Sequence, residues 1–151
     1  MIQVDIDMSG RIEETTRPTV LALANGLSGS ILISASEKRI VLDTLRKMKP
    51  HWSTTYVHVI VFSTLLCLLL EDHLQKIGFV VIDPEYEGHE ATIKDRVMNH
   101  LRRRGIEIRR DQIDFRRVGK RSPAHDLAIR VFRRKGSPDR EISARYVLAE
   151  L

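Results

Sequence analysis

The segment that most constrains this fold is the almost uninterrupted apolar run from Val57 to Leu70. It is shorter than the roughly 20 residues that a membrane-spanning helix needs, and three of its side chains are polar. Ser53 or Thr54 supplies a start signal for a helix, and a stop signal is expected near Gly78. Because apolar residues surround nearly the whole helix axis, the run predicts a helix buried against a β-sheet.

The chain before this helix predicts three antiparallel strands. Residues 2–7, Ile-Gln-Val-Asp-Ile-Asp, alternate strictly between apolar and polar side chains, which is the period of a half-buried strand. Thr19 to Ala24 and Ile31 to Ser34 predict the next two strands, with a turn-rich cluster between them. The segment from Ser36 to Met48 fits either a short helix capped by Ser36 or an extended strand, and Pro50 follows its end.

The chain after the apolar helix alternates strands with helices. Phe79 to Ile82 is a continuous apolar run, typical of a central strand covered on both faces. Apolar residues repeat every four positions from Glu90 to Arg104, which predicts an amphipathic helix, and Ile113 with Phe115 marks a fifth strand. Ser122-Pro123 opens another helix, and residues 142–151 predict a short final one.

These elements predict a single α/β domain over residues 1–151. Its mixed five-stranded sheet would contain three antiparallel strands followed by a β-α-β-α unit, with helices on the sheet faces. The one cysteine, Cys67, excludes an internal disulfide bond and fits a reducing compartment. The N-terminus lacks the basic and apolar segments of a secretory signal, so a cytoplasmic location is expected.

The charge of the chain is unevenly distributed. The net charge is +5, but residues 94–135 contain fifteen Lys or Arg against five Asp or Glu, a local balance of +10 that leaves about −5 elsewhere. This asymmetry favours a polyanionic partner such as nucleic acid, although a solvated basic surface is the alternative. The low aromatic content of 5% argues against a base-stacking platform and favours a duplex held by its backbone.

Three aspartates occur where a strand ends or a helix begins: Asp7, Asp83 and Asp126. Carboxylates gathered at one end of a sheet repel one another, and a divalent cation is the usual remedy in proteins. Each aspartate also has a simpler interpretation, because turns and first helical turns favour aspartate without any ligand. Asp5 lies on the same strand face as Asp7 and is an alternative to it.

The sequences around these aspartates are Val-Asp-Ile-Asp-Met-Ser-Gly-Arg (4–11), Asp-Pro-Glu-Tyr (83–86) and Ala-His-Asp-Leu-Ala (124–128). In this order they resemble the first strand, the Asp-Ser-x-Tyr after strand four and the Ala-Asp-x-Leu-Ala turn of the last helix in the ribonuclease H-like superfamily. The resemblance covers most of the chain. It implies a two-metal nuclease site in which Asp7, Asp83 and Asp126 hold Mg²⁺ or Mn²⁺.

The chain departs from this family at one position. The family usually has a glutamate near the start of the helix before strand four, whereas this helix begins Thr-Thr-Tyr-Val-His over residues 54–58. His58 is the nearest candidate for a catalytic substitute, because imidazole binds metals and moves protons. The alternative for His58 is a hydrogen-bonded histidine of the core.

Other charged residues are assigned less specific roles. Four basic residues run from the fifth strand into the following helix and are predicted to contact nucleic-acid phosphates: Arg116, Arg117, Lys120 and Arg121. Glu85 and Glu87 are expected to face solvent, with a role as an additional acid as the alternative. His125 is expected to be a surface neighbour of Asp126 rather than a catalyst.

The sequence thus leads to one main functional hypothesis and two alternatives. The main hypothesis is a nucleic-acid-binding ribonuclease H-like protein that acts as a Mg²⁺- or Mn²⁺-dependent endonuclease on an RNA/DNA hybrid or another duplex. The missing helix glutamate leaves open whether the protein is an enzyme. The alternatives are a non-catalytic nucleic-acid-binding module on the same fold and a homodimeric scaffold, because a fold alone does not specify a function.

Overall fold

The protein is an α/β protein built on a mixed sheet, as seen in a computed structural model that describes residues 2–151. Within those residues the sheet has six strands: β1 (Ile2–Ser9), β2 (Thr19–Ala24), β3 (Gly29–Ile33), β4 (Ile77–Ile82), β5 (Ile113–Phe115) and β6 (Arg140–Ile142). Their order across the sheet is β5-β4-β1-β2-β3-β6. The β1–β2 and β2–β3 pairs are antiparallel, and the β1–β4, β4–β5 and β3–β6 pairs are parallel.

The α/β class is confirmed, but the expected strand number of five is wrong. The additional strand, β6, has three residues and pairs in parallel with β3 at the edge of the sheet. Its sequence, Arg-Glu-Ile, follows a Gly-Ser-Pro turn and leads directly into the final helix. So short a segment has no periodicity of its own, and only its pairing with β3 makes it a strand.

Five α-helices accompany the strands in the described residues: α1 (Ala35–Met48), α2 (Thr54–Leu70), α3 (Glu90–Arg103), α4 (Pro123–Phe132) and α5 (Ala144–Ala149). The ambiguous segment before Pro50 is therefore helical. Its N-cap is Ser34, whose hydroxyl accepts the N–H of Glu37, and not Ser36. Helix α2 ends at Leu70, earlier than expected, and Gly78 lies inside β4 instead of terminating the helix.

The two faces of the sheet are covered unequally. The larger core contains buried residues of α1, α2, α3 and α5 against β1 and β4, and every residue of α2 from Val57 to Leu70 is buried. On the opposite face, Ala128 and Val131 of α4 contact Val20 and Ala22 of β2. None of the described helices is both long and apolar enough to cross a membrane.

A buried lysine holds the loop between β1 and β2. Lys38 of α1 is fully buried, and its ammonium donates to the carbonyl oxygens of Arg11 and Glu14 at 3.1 and 2.6 Å. Its third bond goes to the hydroxyl of Thr19 at 3.0 Å. Burial lowers the pKa of Lys38 to about 8, with nearby glutamates acting in the opposite direction. The three acceptors match the three donors of an ammonium, so this loop is fixed from the core side.

Replacing Lys38 should therefore destabilise the whole domain. We expect Lys38→Met to lower the free energy of unfolding by about 2–4 kcal/mol, because two carbonyl oxygens and a hydroxyl lose their buried partner. Urea denaturation measures this difference. The exposed Lys47→Met variant in the same helix is the control and should change stability by less than about 0.5 kcal/mol. Equal stability of the two variants would contradict the anchoring role.

Candidate functional site

The first two aspartates are brought together by the parallel pairing of β1 and β4. Ile6 is in register with Ile82, so Asp7 and Asp83 are the next residues along neighbouring strands. The N–H of Asp83 donates to the carbonyl oxygen of Ile6 at 3.0 Å, which continues the ladder past the end of β4. The side chain of Glu85 reaches the same place after Pro84. One oxygen from each of the three carboxylates lies within 4.8 Å of the others.

Asp7 is the most enclosed member of this carboxylate group. It is buried, and its Oδ1 accepts the N–H of Met8 at 2.9 Å. Its Oδ2 lies 2.7 Å from Nδ1 of His125. Burial raises the pKa of Asp7, and the charge of Asp83 raises it further, while the hydrogen bonds from His125 and Met8 act in the opposite direction.

Asp83 and Glu85 occupy the more open side of the group. Oδ1 of Asp83 accepts the N–H of Val118 at 2.9 Å, which links this carboxylate to the loop between β5 and α4. Burial raises the pKa of Glu85 to about 7, and the negative charges of Asp83 and Asp7 contribute to the same shift. At neutral pH a proton therefore offsets part of the repulsion among the three carboxylates.

The donor set fits a hard divalent cation. Three carboxylates offer only oxygen ligands, which are the ligands that Mg²⁺ and Mn²⁺ prefer. Such an ion would supply the positive charge that the group otherwise obtains by retaining a proton. The residues that would hold it are Asp7, Asp83 and Glu85.

The structure does not bring Asp126 into this group. The Asp126 side chain is 68% exposed and pairs with Arg130 at 3.3 Å, one helical turn further along α4. Its neighbour His125 contacts Asp7 instead. Successive residues of a helix point in different directions, so only one of the two can face the sheet. The predicted role of Asp126 as a ligand therefore has no support from this arrangement of the described residues.

A signal for His125 was present in the sequence. The buried residues of α4 include Ala124, Ala128 and Val131. His125 precedes Ala128 by three positions and so lies on the same side of the helix, whereas Asp126 precedes it by two and lies on the far side. The positions of the buried apolar residues thus place His125, and not Asp126, on the side of the helix that faces the sheet. Glu85, by contrast, joins the carboxylate group because of the direction that the chain takes after Pro84. No pattern in the sequence predicts that direction.

His58 and Asp5 have contacts of a different kind. His58 is buried in α2, and its Nδ1 lies 3.7 Å from a carboxylate oxygen of Glu13. Burial lowers the pKa of His58, and Glu13 opposes that shift. Within residues 2–151, His58 is not part of the carboxylate group. Asp5 accepts a hydrogen bond from the hydroxyl of Ser122 at 3.3 Å, so it holds the N-cap of α4.

The carboxylate group lies in a cleft of about 630 Å³ that also contains basic side chains. Arg11 lines it from the β1–β2 loop, and Arg117 and Lys120 line it from the β5–α4 loop. Of the other predicted phosphate contacts, Arg116 pairs with Asp114 at 2.9 Å and lies over the ring of Phe79. Arg121 is exposed and does not line the cleft.

Gly10 permits the close approach of the β1–β2 loop to α4. Its φ of +79° lies in the left-handed region, which favours glycine. A Cβ atom at this position would overlap the carbonyl oxygen of Pro18 and the ring of Phe132. Glycine is therefore required where the chain turns away from the carboxylate group.

Comparison of the chain with family models, with curated proteins and with solved structures gives no match. The chemistry of the cleft is thus the main guide to function.

The raised pKa of Glu85 predicts a pH-dependent cost to stability. The folded protein keeps a proton that the unfolded chain, with its ordinary pKa of 4.5, has lost. Stability should therefore fall as pH rises from about 4.5 to about 7, with the full cost present above pH 7. Glu85→Gln removes this ionisation.

In the presence of a chelator, we compare the melting temperature of Glu85→Gln with that of the wild type at two pH values. The gain in melting temperature should be roughly 2–6 °C larger at pH 8 than at pH 5. Scanning calorimetry at both pH values measures the difference. The exposed Glu87→Gln variant is the matched control and should show no such pH dependence. The same shift at both pH values for Glu85→Gln would contradict the assigned cost.

Proposed function

We propose that this protein is a ribonuclease H-like nucleic-acid-binding protein that hydrolyses phosphodiester bonds with a divalent cation. The observation that carries the proposal is the carboxylate group of Asp7, Asp83 and Glu85 at the ends of adjacent parallel strands, in one cleft with Arg117 and Lys120. Acidic ligands for a cation and basic side chains for phosphates are the two requirements of metal-assisted phosphodiester chemistry.

The strand arrangement supports the finer assignment of the fold. Three consecutive antiparallel strands are followed by two strands that join the sheet in parallel through helices, as the sequence resemblance implies. Strand β6 extends the β3 edge and leaves this arrangement intact. The carboxylates that correspond to the first two motifs belong to neighbouring inner strands: Asp7 lies in β1, and Asp83 directly follows β4.

A Mg²⁺ or Mn²⁺ ion held by the three carboxylates would activate a water molecule and neutralise charge that develops on the phosphate. The remaining roles belong to the side chains of the cleft. Arg117 and Lys120 bind phosphates of the substrate, and Arg11 adds a positive charge from the β1–β2 loop. Oδ1 of Asp83 holds the loop that carries Arg117 and Lys120 through the N–H of Val118.

The cleft favours a substrate that is recognised through its backbone. Among the described residues that line it there is no phenylalanine, tyrosine or tryptophan, so bases have no aromatic side chain of these types to stack on. A duplex, including an RNA/DNA hybrid, presents its phosphates without requiring such stacking.

Two observations favour a second candidate, a nucleic-acid-binding module without catalysis. Asp126, which the resemblance assigns to the second metal site, pairs with Arg130, and α2 begins without the expected glutamate. A weakened metal centre would retain the basic loop and its affinity for phosphates while losing hydrolysis. Cleavage and binding must therefore be measured separately.

Cleavage is tested with labelled RNA/DNA hybrid, RNA duplex and DNA duplex, each with Mg²⁺, with Mn²⁺ and with chelator. We expect metal-dependent cutting that Asp83→Asn reduces at least about 100-fold, because a ligand charge is lost while the asparagine oxygen still accepts the Val118 N–H. The exposed Asp111→Asn variant should cut like the wild type. Binding without cutting would favour the module, and neither binding nor cutting by a folded protein would overturn both candidates.

Binding to the same duplexes should depend on salt through the basic loop. We expect the double variant Arg117→Gln/Lys120→Gln to reduce the slope of log affinity against log salt by about 2, since two phosphate contacts are lost. Fluorescence anisotropy measures the slope, in Ca²⁺ buffer with probe integrity checked on a gel. Arg109→Gln/Arg110→Gln removes the same charge from arginines paired with Asp111 and Asp95 and is the control. Equal slopes for the two double variants would refute the assignment of the loop.

A further inference from the structure

In the part of the chain that the structure describes, His125 is the residue of α4 that lines the cleft and lies within hydrogen-bond distance of the carboxylate group, and the proposed function gives it no role. Its side chain is 27% exposed at the margin of the cleft, and its Nδ1 lies 2.7 Å from Oδ2 of Asp7. When Asp7 is ionised, Nδ1–H is the donor in this hydrogen bond, because an ionised carboxylate only accepts.

The two hydrogen bonds of Asp7 determine the orientation of its carboxylate. Oδ1 accepts the N–H of Met8, which is a local bond to the next residue, and Oδ2 accepts from His125. Each oxygen keeps a second lone pair available for a cation. If the histidine were absent, a single local hydrogen bond would hold the carboxylate, and its oxygens would be free to rotate away from Asp83 and Glu85.

The position of His125 is itself well supported. Ser122, the N-cap of α4, is bonded to Asp5 of β1, so the first turn of the helix is fixed to the same strand that carries Asp7. Further along the helix, Ala128 and Val131 are buried against β2. The imidazole is therefore presented to Asp7 by a rigid element and not by a mobile loop.

We infer that His125 is a positioning residue that orients Asp7 for the divalent cation, and that Asp126 contributes no ligand. This inference rests on the proposed function, because it concerns the same cation. Removing a residue that orients a metal ligand typically lowers the metal affinity by about 10–100-fold. The contribution of α4 to the centre thus comes from His125, through Asp7, and not from the neighbouring aspartate that the sequence motif assigns as a ligand.

The test uses variants with matched shapes at position 125. In His125→Asn the amide nitrogen is attached to Cγ, as Nδ1 is, and it can donate to Oδ2 of Asp7. His125→Leu has nearly the same shape and no donor. His125→Ala is a second variant without a donor, in case leucine disturbs the helix. Asp126→Asn tests the neighbouring position, and circular dichroism in chelator checks the fold of each variant.

Mn²⁺ alone is the probe, and electron paramagnetic resonance of the free ion gives affinity and stoichiometry for the full chain. We expect Leu and Ala at position 125 to weaken Mn²⁺ binding about 10–100-fold, and Asn to retain the wild-type affinity within about threefold. Asp126→Asn should bind within about twofold of the wild type. Rescue by asparagine identifies the hydrogen bond as the cause, because a purely structural role would not separate asparagine from leucine.

The outcomes distinguish this inference from the proposed function. If the wild type binds no Mn²⁺, the metal centre and the proposed hydrolysis fail together. If the wild type binds Mn²⁺ and His125→Leu and His125→Ala bind it equally well, the positioning role is overturned while the metal centre stands. A loss for Asp126→Asn as large as that for His125→Leu would overturn the statement that Asp126 is not a ligand.

Discussion

The parallel pairing of β1 with β4 is the constraint on which the rest of the structure depends. Parallel strands place their carboxyl ends at the same edge of a sheet, so a register of Ile6 with Ile82 puts Asp7 beside Asp83 without any further specification. That pairing requires a crossover between the strands, and the largely apolar helix α2, buried from Val57 to Leu70, forms part of it. The apolar run of α2 and the proximity of Asp7 to Asp83 thus both follow from the parallel pairing of β1 with β4.

Gathering three carboxylates in one place lowers the free energy of unfolding, and the burial of the apolar core compensates for this loss. Burial and mutual repulsion raise the pKa of both Asp7 and Glu85, which means that the ionised state is disfavoured in the folded protein. The cost is tolerated because the group lies at the ends of two inner strands of the sheet, β1 and β4, and the adjoining loop is fixed by Lys38. Destabilising arrangements of this kind are typical of functional sites.

Much of the fold follows from local sequence patterns, whereas the full site does not. Strict alternation predicted β1, and the position of Asp83 after an apolar run predicted its place beside Asp7. Strand β6 and the inclusion of Glu85 depend on tertiary pairing and chain direction, which leave no periodicity in the sequence. The sequence motif predicted Asp126 as a site residue, but the orientation of α4 places Asp126 in solvent and His125 beside Asp7. Only one of two adjacent helical residues can face the sheet.

The composition of the cleft also links the two binding events of the proposed function. Five carboxylates line it against three Lys or Arg side chains, so the formal charge of these groups is −2 even though the segment that contributes Arg117 and Lys120 is strongly basic. A divalent cation would balance this excess of two negative charges and displace the proton from Glu85. Each ligand would then bind more tightly in the presence of the other, by the same factor, because coupling between two sites is reciprocal. Under the proposed function, the cation would therefore strengthen phosphate binding in this cleft, a coupling that a simple basic patch would lack.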